Sequence, residues 1–240
     1  MSPAFDSPSE AMANTGRRPL FAMAALILVA ATLLLGLAAP RLLGGIAQVP
    51  GEPIMAAVRQ HLDVPLGDLR WAVQSRSTAT EWLDSGDLWA DAGQVELLLA
   101  AQPGQNLEQR QRWLVAAKNA LRHAVTAAPA NGGAWLRLAY VSFLLGERDN
   151  VRAPLAMSLA TLPYEPGIAQ TRIDLALSVW SRLTEADRAA IIRQVAQSAA
   201  SDRAATEAVI RYRGLMGIMA PYLDGAPLPA LAPKRLSPLG

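Results

Sequence analysis

The sequence predicts an all-α membrane protein, and three observations support this expectation. Aromatic residues make up only 5% of the 240 residues, while Ala and Leu are abundant, a composition that favours helix over sheet. A segment near the N-terminus, from Pro19 to Pro40, is apolar and carries no charge. The remainder is divided by Gly and Pro into segments of helical length, and none has the alternating polarity of a half-buried strand.

Residues 19–43 are predicted to form a single transmembrane helix. At ~1.5 Å per residue, the uncharged segment covers about 33 Å and exceeds the roughly 30 Å hydrocarbon core of a bilayer. Arg17 and Arg18 precede it and only Arg41 follows closely, so the positive-inside rule places residues 1–18 in the cytoplasm and the rest in the periplasm of a bacterial inner membrane. A cleaved signal peptide is the alternative, but the apolar segment is longer than the usual ~7–15 residues.

The rest of the chain is predicted to contain one helical domain between two irregular segments. Residues 44–51 are rich in Gly and Pro and are expected to be a flexible linker, residues 52–220 the domain, and residues 221–240 a Pro-rich disordered tail. The predicted domain helices are 52–62, 66–79, 87–101, 106–128, 132–146, 150–161, 167–182, 185–200 and 202–219. A capping box at Thr184 and Asp187 predicts one helix start.

Composition and motifs argue against several kinds of site. The net charge is only +2 and there is no long basic run, so no nucleic-acid partner is expected. The chain has no cysteine and only two histidines, His61 and His123, which lie in different predicted helices and form no zinc motif. Phosphate-binding loops and the GxSxG elbow are also missing from the sequence. We therefore expect no metal, cofactor, small-molecule ligand or catalytic residue.

Two prolines divide the centre of the chain at one repeat length. Pro129 and Pro163 lie about 34 residues apart, and each follows a predicted helix with a small or apolar inner face. In the first of these helices that face contains Ala117, Leu121 and Ala124. The residues between the two prolines include Trp135 and Leu138 on one helix and Gly146 at its end.

This pattern resembles a tetratricopeptide repeat (TPR) over residues 132–165. The resemblance implies a TPR-like α-solenoid, in which helical hairpins stack and bind a segment of another protein on a concave face. First-helix residues Leu136, Tyr140 and Phe143 would form that face, either as a hydrophobic groove or as a surface buried by the next hairpin. The following unit has Ala169 and Arg172 where Trp and Leu are expected, so a generic helical bundle is the alternative.

A second resemblance concerns the pathway. The string from Leu159 to Gly167, together with the upstream string from Trp135 to Ala139, is similar to VpsP-type accessory proteins of exopolysaccharide biosynthesis. It implies a non-catalytic scaffold that binds other envelope proteins during polysaccharide synthesis or export. Tethered TPR scaffolds of cytochrome c maturation and of cell division are alternatives.

An enzyme of lytic-transglycosylase type is the remaining alternative. Gly214, Leu215 and Met216 are similar to a Gly-Leu-Met motif of that family, but Gly217 replaces the expected Gln and no Glu in the chain is followed by Ser. This hypothesis requires a cleft containing a buried Glu with a raised pKa. The candidates are Glu96, Glu108 and Glu147.

Charged residues and tryptophans give two further expectations. An acidic stretch over residues 81–96 precedes a basic stretch over residues 110–122, and the two helices are expected either to face each other along their edges or to present separate solvated faces. The six tryptophans lie at otherwise apolar positions of predicted helices and are expected to fill the core. They are Trp71, Trp82, Trp89, Trp113, Trp135 and Trp180.

Overall fold

The computed structural model describes residues 17–223 and is helical throughout this range, with no strand in it. The helices are α1 (Arg17–Gln48), α2 (Glu52–Arg59), α3 (Leu66–Trp82), α4 (Gly86–Ala101), α5 (Leu107–Ala127), α6 (Gly132–Leu144), α7 (Arg152–Thr161), α8 (Pro166–Ser178), α9 (Glu185–Ser201), α10 (Arg203–Tyr212) and α11 (Met216–Leu223). Short 3₁₀ turns cover Val49–Gly51, Arg148–Asn150 and Trp180–Arg182. The all-α prediction is confirmed for these residues.

Helix α1 is long and apolar enough to cross a membrane, and its most apolar window is entirely exposed. It has 32 residues and continues through Pro40 to Gln48. The expectation of a flexible linker at 44–51 is therefore wrong, because these residues complete α1 and form the following 3₁₀ turn. The first sixteen residues, which contain most of the predicted cytoplasmic tail, lie outside the described range.

Three antiparallel helix pairs have the same kind of close contact at a glycine. In each pair a glycine of one helix lies against the residue that ends the other helix. A Cβ atom added at Gly86 or at Gly132 would lie 2.4 Å from the Cβ of Ala128 or of Leu162, respectively. At Gly44 of α1 the corresponding distance, to Leu83 Cβ, is 2.8 Å. The pairs are therefore α1 with α3, α4 with α5, and α6 with α7.

The apolar core is divided into three clusters that follow one another along the chain. Helices α2, α3 and α4 form the first cluster around Met55 and Leu69. Helices α4, α5 and α6 form the second around Leu121, and helices α6 to α11 form the third around Ile173 and Ile191. The first two clusters thus each join three consecutive helices, whereas the third joins six.

The ends of most predicted helices agree with the structure, with two informative differences. The capping box is confirmed, since the Thr184 hydroxyl accepts from the Asp187 N–H and the Asp187 carboxylate accepts from the Thr184 N–H. The single helix predicted over 202–219 is wrong. Gly214 has a φ of +70° and separates α10 from α11, since glycine enters this left-handed region without steric cost. The predicted tail begins inside α11, which contains Pro221, and residues after 223 lie outside the described range.

Candidate functional site: the anchor junction and the tyrosine face

The end of α1 is fixed to the helical domain by two polar residues of α3. The Ser75 hydroxyl donates to the carbonyl oxygen of Ala47 at 2.8 Å, and Arg76 Nη1 donates to that of Gln48 at 3.0 Å. These carbonyl groups belong to the last turn of α1, where the α-helix passes into the 3₁₀ turn Val49–Gly51. We call this region, Ser75, Arg76 and the last turn of α1, the anchor junction.

Arg76 is completely buried, and its charge is balanced by two carboxylates from different helices. Its Nη2 atom donates to Glu52 Oε1 at 2.7 Å, and its Nε atom lies 3.4 Å from Asp91 Oδ2. Arg59 pairs with the same two carboxylates, at 3.6 Å from Glu52 and 3.1 Å from Asp91, but half of its side chain is exposed. The guanidinium group of Arg76 therefore joins α1, α2, α3 and α4.

The residues assigned to the repeat pattern occupy well-defined positions. Trp135 Nε1 donates to the carbonyl oxygen of Pro129 at 2.8 Å, which ties α6 to the turn before it. Gly146 has a φ of +79° at the end of α6, and Pro163 follows the C-cap residue of α7 and is exposed. The remaining four, which lie in the buried core, are Ala117, Leu121, Ala124 and Leu138.

The three candidate binding residues of α6 have different environments. Leu136 is only 4% exposed and belongs to the third core cluster, and Phe143 packs against the same cluster. Both are thus covered by the helices that follow. Tyr140 is 37% exposed and is the member of the trio with a surface available to a partner.

A group of polar and aromatic residues around Arg213, which the sequence pattern did not indicate, interacts electrostatically with Tyr140. Arg213 donates to both carboxylate oxygens of Asp174 at 2.6 Å, which raises the pKa of its guanidinium group, and the Coulombic interaction with Tyr140 raises this pKa further. The guanidinium carbon of Arg213 lies 5.0 Å from the centre of the Tyr212 ring, and Tyr212 is 79% exposed. We call Tyr140, Asp174, Tyr212 and Arg213 the tyrosine face. Arg213, which follows α10, completes this face. Because its residues come from different helices, the periodicity of any one helix does not predict it.

Among the carboxylates named for an enzyme, Glu96 has an unusual environment. Burial raises its pKa to about 7, and its buried Oε2 atom accepts no hydrogen bond from the described residues. A cavity of about 510 Å³ beside α4 is lined by Gln94, Leu98 and Gln102, which lie on the opposite face of the helix. Glu147 instead accepts hydrogen bonds from Lys118, while Glu108 is exposed and pairs with Arg112. Within the described chain, no cluster of three potential metal ligands was found.

The acidic and basic helices do pack as a hairpin, α4 against α5, but their charges do not pair with each other. Asp91 pairs with Arg59 and Arg76, and Lys118 pairs with Glu147. The contact between α4 and α5 is instead made by small and aromatic residues, including a stacked Trp89 and His123 with ring centres 4.8 Å apart. The expected pairing of the acidic helix with the basic helix is therefore not seen in the described residues, and Asp91 and Lys118 pair with other parts of the domain.

A second buried arginine, Arg172, was recognised in the sequence only as a departure from the repeat pattern. It is completely buried in α8, and its Nη2 atom donates to Ser158 Oγ at 3.0 Å and to the Ser158 carbonyl oxygen at 3.3 Å. Burial lowers its pKa, and in residues 17–223 no carboxylate pairs with it. Arg172 thus fastens α8 to the last turn of α7, as Arg76 fastens α3 to α1.

Comparisons with known proteins give no assignment for this arrangement. No protein-family model, no curated protein and no solved structure matches the chain.

Proposed function

We propose that this protein is a non-catalytic, membrane-anchored scaffold. Helix α1 would hold it in a bacterial inner membrane as a single-pass protein, with the N-terminus in the cytoplasm and the helical domain in the periplasm. The observation that carries the proposal is the anchor junction, in which the exposed apolar helix is joined to the domain through the buried Arg76. Such a rigid joint presents the domain at a fixed orientation to the membrane, which suits a binding surface for neighbouring envelope proteins.

The domain is proposed to be a TPR-like stack. The shared packing of Gly44, Gly86 and Gly132 supports this, because repeated close helix pairs are the unit of an α-solenoid. The Trp135 hydrogen bond to the Pro129 carbonyl also supports it, since it fixes one hairpin relative to the next. The first two core clusters also support it, because each is formed by three consecutive helices.

The tyrosine face is the proposed protein-binding surface. Tyrosine and arginine are enriched in protein interfaces, because they combine a large contact area with hydrogen-bonding groups. Arg213 is held in place by Asp174, so little side-chain entropy is lost when a partner binds it. The proposed partners are other envelope proteins, and exopolysaccharide biosynthesis or export is the proposed pathway on the sequence resemblance alone.

Affinity purification with matched variants tests the proposal. The detergent-solubilised wild type, a Tyr140→Ser/Tyr212→Ser variant and a Leu107→Ser variant would be purified from cross-linked membranes and their partners identified. Leu107 is the control, because it is an exposed apolar residue, 81% accessible, at the start of α5. We expect glycosyltransferase or export-channel subunits with the wild type and Leu107→Ser, and their loss with the tyrosine variant. Equal recovery with all three would refute the tyrosine face, and haem-handling or division proteins would move the scaffold to another pathway.

A peptidoglycan-acting enzyme of lytic-transglycosylase type is a second candidate, and the raised pKa of Glu96 is the observation that favours it. A general acid of this kind must be protonated near neutral pH, and Glu96 meets that requirement. Release of anhydromuropeptides from purified peptidoglycan would be measured for the wild type and Glu96→Gln. The scaffold proposal expects no release from either, and release that disappears in Glu96→Gln would establish the enzyme instead.

A further inference from the structure

Helix α1 is longer than the hydrocarbon core it is proposed to cross. Its 32 residues extend about 48 Å, against roughly 30 Å of hydrocarbon. Arg17 and Arg18 fix the start of the apolar segment, so the core ends about 20 residues later, near Ala39. The helix from Pro40 to Gln48 therefore passes through the headgroup layer.

The part of α1 beyond the core remains apolar on the side that faces away from the domain. Leu42, Ile46 and Val49 are 64%, 59% and 62% exposed, and their spacing places them on one side of the chain. The opposite side carries Gly44 and the carbonyl groups that α3 binds. An apolar stripe outside the hydrocarbon is more stable in the headgroup layer than in water.

Helix α3 runs antiparallel to α1, so its C-terminal end points back toward the membrane. Ser75 of α3 contacts Ala47 near the end of α1. Leu83, which follows the last residue of α3, contacts Gly44, an earlier residue of α1. Gly44 lies about 7 Å beyond Ala39 along the helix. The headgroup layer is roughly 5–8 Å thick on each side of the core, and the end of α3 therefore lies at its level.

Trp82 is the residue at this end of α3 with the chemistry of a membrane interface. Its side chain is 48% exposed, so the expectation that it fills the core is wrong, and within the described chain its indole N–H donates no hydrogen bond. Tryptophan prefers the headgroup layer, where its ring contacts the acyl chains while its N–H meets water or lipid oxygen atoms. Trp71 lies on the same side of α3 and is 55% exposed, but it is about 16 Å further from the membrane.

We infer that Trp82 inserts into the headgroup layer and forms, with Leu42, Ile46 and Val49, a second contact between the domain and the bilayer. The contact is expected with zwitterionic lipids, because Glu81 and Asp84 beside Trp82 would be repelled by anionic headgroups. This inference depends on the proposed membrane anchoring through α1. Its consequence is that the domain rests on the bilayer through the end of α3 and does not swing freely around α1.

Tryptophan quenching by brominated lipids tests the contact. The full-length protein, Trp82→Phe and Trp71→Phe would be reconstituted into phosphatidylcholine vesicles with bromine atoms on the acyl carbons nearest the headgroup. We expect quenching in the wild type, the same absolute loss of emission in Trp71→Phe, and a loss close to zero in Trp82→Phe. Equal quenching of the two variants would overturn the inference.

A second measurement keeps the result independent of the tryptophans themselves. Because the chain has no cysteine, spin labels at Glu81→Cys and at Arg70→Cys report two exposed positions of α3 that differ in height by the same three turns. We expect greater oxygen than nickel-chelate accessibility for the label at position 81 and the reverse at position 70. Density-gradient flotation separates the two claims: failure to float with the vesicles overturns the membrane anchor as well, whereas flotation with equal accessibilities overturns only the Trp82 contact.

Discussion

At the scale of single residues, Arg76 decides the stability of the anchor junction. We expect Arg76→Ala to lower the free energy of unfolding by about 1–3 kcal/mol, because it removes a completely buried side chain and its hydrogen bonds to the Gln48 carbonyl group and to Glu52. Arg59→Ala is the matched control, since Arg59 pairs with the same Glu52 and Asp91 but is half exposed, and it should cost at most about 1 kcal/mol. Urea unfolding in detergent, followed by circular dichroism, measures both changes. Equal losses would show that burial of Arg76 does not set the strength of the junction.

Gly132 provides a second prediction at this scale. A Cβ at Gly132 would lie 2.4 Å from the Cβ of Leu162, while one at the adjacent Gly133 would approach no described atom closer than 3.5 Å. We expect Gly132→Ala to destabilise the protein by about 1–3 kcal/mol through overpacking. Gly133→Ala should be neutral or stabilising by up to ~1 kcal/mol, because alanine favours helix. Thermal unfolding of the two variants decides the point, and a neutral Gly132→Ala would contradict the close approach of α6 and α7.

Glu96 makes the stability depend on pH near neutrality. Its pKa in the folded protein is about 7, raised from 4.5 by burial, so the folded state binds the proton more tightly than the unfolded state. Stability is therefore unaffected below about pH 4.5, falls as pH rises through the interval to 7, and remains lower above it. The full penalty is on the order of 3 kcal/mol.

Unfolding free energies at pH 5.5 and pH 8.5 would measure this effect. We expect Glu96→Gln to reduce the loss of stability between these values, since glutamine has a similar shape and no charge. The exposed Glu81→Gln serves as the control. This range avoids acid pH, where protonation of Glu147, whose pKa is lowered by the hydrogen bond from Lys118, would also reduce stability. An unchanged profile in Glu96→Gln would disprove the assignment.

At the scale of elements, the last turns of α1 belong to the folded domain as much as to the apolar helix that is proposed to anchor it. A variant that begins at Pro40 should retain the stability of the domain, whereas one that begins at Gly51 should lose about 3 kcal/mol or more. The longer deletion removes the acceptors of Ser75 and Arg76, and each lost buried hydrogen bond costs about 1–3 kcal/mol. Urea unfolding of the two truncated proteins measures the difference between their free energies of unfolding. Equal stability would show that residues 44–51 act as a linker after all.

The sequence predicts elements better than the contacts between them. Helix ends can be predicted where local interactions determine them. At Thr184, for example, the side chain caps α9 through a hydrogen bond within the same helix end. The sequence did not predict that α1 continues past Gly44, because glycine is common in linkers. In the structure, the missing side chain of Gly44 allows Leu83 to pack closely against α1. The helix predicted over 202–219 ran through the break at Gly214, because nothing in the local pattern shows that this glycine adopts a positive φ and ends a helix. The tyrosine face combines α6, α8 and the end of α10, and such tertiary combinations leave no periodic signal.

At the scale of the whole molecule, ion pairs connect each helix pair to its neighbour. Arg59 and Arg76 reach Asp91 of α4, Lys118 of α5 reaches Glu147 after α6, and Arg152 of α7 reaches Asp187 of α9. Partly exposed pairs contribute little stability individually. Their distribution along the chain nevertheless places at least one ion pair between α3 and α4, between α5 and the end of α6, and between α7 and α9.

The orientation of this assembly relative to the membrane gives the last prediction. Arg17 and Arg18 precede the apolar segment, and only Arg41 is near its other end, so the positive-inside rule predicts a cytoplasmic N-terminus and a periplasmic domain. Single cysteines at Ser7→Cys and Gln111→Cys, in a chain without native cysteine, would be exposed to a membrane-impermeant maleimide in spheroplasts. We expect labelling of the exposed position 111 in intact spheroplasts and of position 7 only after lysis. The opposite pattern would place the domain in the cytoplasm, and any periplasmic scaffold or peptidoglycan-acting role would then be ruled out together.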